Sequence, residues 1–172
     1  DLYPAYHTCG QADLDEMNAI LRSPPGQCSA HWSDRQKLEA LSISLLRLWA
    51  DGQAGRARMT TEIYETIGAQ RGHRIVTLWA EFIEIYGLYQ QDPSAPHAIY
   101  EDYLSIDEAY FAQFLAIAAE SDREEALLFA MSRVRPDAVL VLTNLATQIG
   151  LSLKQILLIR SATNRPLSQN LH

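Results

Sequence analysis

Apolar residues recur every three or four positions along most of this chain, which is the period of an α-helix that buries one face. The first stripe is short: Leu14, Met17 and Leu21 lie between Asp13 and Arg22, just before a Ser-Pro-Pro-Gly sequence that ends a helix. The later stripes are those of Leu38, Leu41, Leu45, Leu48 and Trp49; of Met59, Ile63 and Ile67; of Val76, Trp79, Ile83 and Tyr86; of Phe111, Phe114, Leu115 and Ala118; of Leu127, Ala130, Met131 and Val134; and of Val139, Leu142, Ala146 and Ile149. No segment alternates apolar and polar residues with the period of two that a strand requires, so we predict an all-α protein.

Four Ser-x-x-Glu or Ser-x-x-Gln sequences mark predicted helix starts, since such a capping box pairs two backbone N–H groups that a helix leaves unbonded. They begin at Ser33, Ser105, Ser121 and Ser152. Together with the stripes, they predict a single multi-helix bundle of about seven or eight helices with a short N-terminal arm. We expect that arm with its short helix at residues 1–32, a helical domain at 33–162 and a flexible tail at 163–172.

Size and charge narrow the classes of function. The chain has 172 residues of which 48% are hydrophobic, enough for one sizeable core. Its 14 Lys and Arg residues stand against 21 Asp and Glu residues, so the molecule as a whole does not attract polyanions. No apolar run approaches the roughly 20 residues that cross a bilayer, and no basic stretch followed by an apolar one opens the chain. We therefore expect no membrane partner and a cytoplasmic location.

Residues 142–161, LTNLATQIGLSLKQILLIRS, place a small residue, a glycine and an apolar residue at Ala146, Gly150 and Ile156. This spacing resembles a helix-turn-helix motif, in which the small residue lets two helices cross closely and the glycine relieves the turn. The resemblance covers this segment alone, and it implies a second helix that lies in the DNA major groove. The side chains that it implies for nucleic-acid contact are Ser152, Lys154, Gln155, Arg160 and Arg165.

The outward face of that second predicted helix argues against DNA recognition. On a helical wheel, Ile156 and Ile159 point inward, while Leu157 and Leu158 point outward together with Lys154. Leucine side chains cannot hydrogen-bond to base edges, and the few cations after Ala138 are a weak anchor for phosphates. A DNA-binding transcriptional regulator is therefore the alternative function and not the main one.

His7, Cys9, Cys28 and His31 form two pairs of metal-ligand residues within the N-terminal arm. Two thiolates and two imidazoles are a donor set that binds zinc tetrahedrally. However, a single residue separates His7 from Cys9, which is tighter than the usual zinc spacing. A Cys9–Cys28 disulfide or two unlinked thiols explain the same residues. We expect no cofactor, with zinc as the alternative.

Signatures of enzymes are missing from the sequence. It contains no glycine-rich nucleotide or phosphate loop, no Gly-x-Ser-x-Gly and no His-Glu-x-x-His. Glu62 with Glu65 and Glu81 with Glu84 place paired carboxylates on helix faces, where a solvated surface is the ordinary explanation. We expect no enzyme.

Apolar residues exceed what one face of each helix can hold. The segment from Trp79 to Tyr89 is apolar almost all round a helix, which is typical of a helix that is either central or in contact with another chain. The residues predicted to bind a partner are Leu157, Leu158, Trp79, Phe82, Tyr86 and Tyr89. The predicted function is a non-enzymatic helical protein–protein interaction or regulatory module that associates with itself.

Overall fold

The computed structural model describes residues 32–91, 105–120 and 122–163, and these residues contain six helices and no strand. The helices are α1 (Asp34–Ala50), α2 (Gly52–Ile67), α3 (Ala69–Tyr89), α4 (Ile106–Glu120), α5 (Arg123–Met131) and α6 (Pro136–Thr163). The predicted all-α bundle is confirmed. The expected arm and tail lie outside the described residues, apart from Trp32 and Thr163. Among the helices described, none combines the length and the apolar character that a bilayer crossing needs.

Two of the predicted capping boxes are present. At the start of α1, Ser33 Oγ accepts a hydrogen bond from the Gln36 N–H at 3.1 Å, and the Ser33 N–H donates to Gln36 Oε1 at 2.9 Å. Ser105 and Glu108 make the same reciprocal pair at the start of α4, at 3.1 and 2.9 Å. Both boxes satisfy backbone donors that the first helical turn leaves unpaired. The box predicted at Ser121 falls on a residue outside the described ranges.

A glycine stands at each junction of the first three helices, since Gly52 is the first residue of α2 and Gly68 lies between α2 and α3. Gly52 and Gly68 have φ angles of 75° and 85°, a backbone region that glycine enters without steric cost. The Gly68 N–H donates to the Tyr64 carbonyl at 2.9 Å and closes the end of α2. Because no long loop intervenes, α1, α2 and α3 pack as neighbours in chain order.

The central helix of the bundle is α4. All of its positions from Ala109 to Ala118 are buried except Gln113, so this helix is covered on nearly every side. It packs against α1 and α6. On the side of α3, the Phe111 ring meets the rings of Trp79 and Phe82 edge-on, with centroids 5.5 and 5.4 Å apart. Edge-to-face contacts of this kind stabilise an aromatic core beyond the burial of area alone.

The last helix, α6, runs without interruption for 28 residues from Pro136 to Thr163. The helix-turn-helix predicted at residues 142–161 is therefore wrong, because the segment is a single helix with no turn at its glycine. The capping box predicted at Ser152 is wrong for the same reason, since the Ser152 hydroxyl donates to the Gln148 carbonyl at 2.7 Å inside the helix. The described residues contain six helices where the sequence predicted seven or eight, for two reasons. The two helices predicted at residues 142–161 belong to one helix, and the helix predicted at residues 13–22 lies outside the described ranges.

Gly150 has a packing role instead of a role in a turn. A Cβ atom at this position would lie 2.6 Å from the carbonyl oxygen of Leu115 and 2.7 Å from Cβ of Ala119, both on α4. A glycine that allows two helices to approach closely and a glycine that relieves a turn look alike in sequence, and here the first explanation applies.

Candidate functional site

The aromatic residues predicted to bind a partner lie mostly inside the bundle. Trp79 and Phe82 are 0% exposed and Tyr86 is 6% exposed. The prediction that these three side chains offer a surface to a partner is wrong, because their rings pack against Phe111 of α4. Tyr89, near the end of α3, is half-buried.

The two leucines predicted to bind a partner on the last helix, Leu157 and Leu158, differ in their exposure to solvent. Leu158 is 70% exposed, as expected for an outward-pointing side chain. Leu157 is half-buried and packs against the core, whereas Ile159, which was expected to point inward, is 38% exposed. The buried face of the continuous α6 is therefore slightly rotated about the helix axis from the face predicted for a separate second helix.

The solvent face of α6 carries the longest row of exposed apolar side chains in the described ranges. Every exposed position between residues 140 and 159 belongs to this row, which we name the α6 stripe. Its members are Leu140, Val141, Asn144, Gln148, Leu151, Gln155, Leu158 and Ile159. Five of these eight side chains are large and apolar, three are amides, and none is charged.

The α6 stripe is straight and narrow. At 3.6 residues per turn its eight positions fall within an arc of about 100°, so they share one face of the helix. The 19 residue steps from Leu140 to Ile159 span about 29 Å at a rise of about 1.5 Å per residue. With a helix about 10 Å wide, the projected footprint is about 300 Å². With its three amides included, this footprint lies at the low end of the roughly 300–600 Å² of the largest apolar patch on a typical single-chain protein, a patch that often has a function.

The cations of α6 contact acids and carbonyls of the same subunit. Lys154 Nζ donates to the Ala119 carbonyl at 3.2 Å and lies 3.8 Å from Glu120 Oε1. The guanidinium of Arg160 is 4.0 Å from Glu62 Oε2 on α2. Both cations are thus partly neutralised, which weakens their attraction for phosphate.

The other side chains predicted to contact nucleic acid do not form a second row. Ser152 is half-buried with its hydroxyl bonded to the backbone, and Gln155 is exposed within the α6 stripe. Arg165 lies outside the described residues. The exposed Arg74 guanidinium donates a 3.3 Å hydrogen bond to Gln148 Oε1 within the stripe. The helix on which the DNA-binding prediction depended is therefore absent as a separate element.

The four residues of the predicted zinc site, His7, Cys9, Cys28 and His31, all lie outside the described ranges. Within those ranges, no three His, Cys, Asp or Glu side chains come together as a metal-binding group. The zinc alternative therefore stays a prediction from sequence.

An open cleft of about 320 Å³ lies where α3 ends, α4 begins and α5 ends. Its charged residues are Asp107 and Arg133, which bind each other with Nη1 and Oδ1 2.5 Å apart. Burial raises the pKa of Tyr86, which lines the cleft, so its hydroxyl is a weaker acid than that of an exposed tyrosine. The acidic and basic groups of this cleft are thus engaged with each other.

Sequence reasoning missed most of the α6 stripe, namely Leu140, Val141, Asn144, Gln148, Leu151 and Ile159. The reason is the turn that it placed at Gly150, since residues before and after a turn are not aligned on one wheel. A signal was nevertheless available, because the whole of residues 136–163 lacks a helix-breaking residue after Pro136 other than that one glycine.

Comparisons of this chain with models of protein families, with curated proteins and with solved structures find no match.

Proposed function

We propose that this chain is a non-enzymatic helical interaction module that acts by associating with a second copy of itself. The observation that carries the proposal is the α6 stripe, an exposed helix face on which five large apolar side chains alternate with three amides and which has no charged side chain of its own. A single exposed leucine is ordinary on a protein surface, whereas several large apolar side chains on one exposed helix face are more typical of an interaction site. The core of a protein interface is depleted in charge in the same way.

We propose no catalytic activity, and the cleft between α3, α4 and α5 supports this part of the proposal. In this cleft the Asp107 carboxylate and the Arg133 guanidinium form an ion pair, and because an arginine side chain does not give up its proton in proteins, the two are not an acid–base couple. Reversible association is then the property through which a regulatory role would operate. We propose the cytoplasm as its compartment, in keeping with the low cysteine content of the chain.

Sedimentation velocity over a wide range of protein concentrations tests the proposal. We expect the wild-type chain to shift from one copy to two as concentration rises. In Leu158→Lys, a side chain that is 70% exposed on the α6 stripe becomes charged, and the dissociation constant should rise about tenfold or more. The effect is large because the substitution occurs twice in a symmetric pair.

Leu128→Lys is the matched control, because Leu128 lies on α5 and is 66% exposed. This variant should associate like the wild type, and circular dichroism should show equal helix content in all three proteins. A wild-type chain that stays a single copy at every concentration would refute the proposed function.

A further inference from the structure

We draw no further inference here: the strongest candidate, the open cleft where α3 ends, α4 begins and α5 ends, carries nothing, because the Asp107 carboxylate and the Arg133 guanidinium on its wall bind each other and no other group among the described residues that line it indicates the chemical class of a ligand.

Discussion

At the scale of single residues, Gly150 shows how one atom sets the distance between two helices. A Cβ atom here would meet the Leu115 carbonyl oxygen at 2.6 Å, and this backbone atom cannot rotate away. We expect Gly150→Ala to lower the free energy of unfolding by about 1–3 kcal/mol through overpacking, even though alanine favours helix. Gly87→Ala in α3 is the control, because nothing lies within 4 Å of that added atom, and it should stabilise by about 0.5–1 kcal/mol. Urea denaturation measures both, and a neutral Gly150→Ala would contradict the close packing.

Glu39, which is buried, and Glu108, which is half-buried, should give opposite dependences of stability on pH. Burial alone would raise the pKa of Glu108, but hydrogen bonds from Arg47 and Ser105 outweigh it and hold the pKa below its usual value. Its ionised form therefore stabilises the fold above the unfolded-state pKa of 4.5, and this contribution is lost as pH falls through the lowered value. Burial raises the pKa of Glu39, with Arg35 only partly opposing it, so ionised Glu39 costs stability at neutral pH.

Substitution by glutamine separates these two contributions. Glu108→Gln should lose roughly 1–3 kcal/mol at neutral pH and less in acid, where protonation of the wild-type carboxyl removes part of this contribution. Glu39→Gln should become more stable relative to the wild type as pH rises, since glutamine imitates the protonated acid. Urea denaturation at about pH 3 and about pH 7 measures both differences. If the two variants changed with pH in the same direction, the assignment would fail.

At the scale of elements, the sequence predicts what depends on neighbours along the chain and fails where distant parts meet. The capping boxes at Ser33 and Ser105 are visible in sequence because the bonded groups are three residues apart. The role of Gly150 depends on Leu115, which belongs to another helix, so the local pattern could not distinguish a close crossing from a turn. The sequence could not decide for a similar reason whether Trp79 is buried. A helix that is apolar on most sides is typical both of a central position and of a contact with a partner, and in the structure Trp79 is buried.

The continuity of α6 is tested by Leu151→Pro. In an uninterrupted helix this proline removes a backbone hydrogen bond and clashes with the preceding turn, so unfolding should become easier by about 3 kcal/mol or more. In a helix-turn-helix the same position would lie in the turn, where proline is tolerated. Leu151→Ala controls for loss of the side chain, which is 48% exposed, and should change stability by less than about 0.5 kcal/mol. Denaturation at low protein concentration keeps self-association out of the comparison.

At the scale of the whole molecule, the net charge of −7 and the uncharged α6 stripe act separately on association. Two copies repel each other through their net charge, and salt screens this repulsion. The apolar contact itself is unaffected by screening. We therefore expect the dissociation constant measured by sedimentation to stay the same or to fall, and not to rise, between about 0.05 and about 0.5 M sodium chloride. Dissociation of the pair by salt would indicate an ionic interface elsewhere.

The uninterrupted 28 residues of α6 also limit how this chain can vary. Each residue turns a helix by about 100°, so a one-residue insertion or deletion near the middle would rotate everything after it by that angle. Leu153 and Ile156 would then leave the core and polar positions would enter it. Natural variants of this chain should therefore tolerate exchanges of side chains along α6 far better than changes in its length, and length differences should collect in the connections between helices.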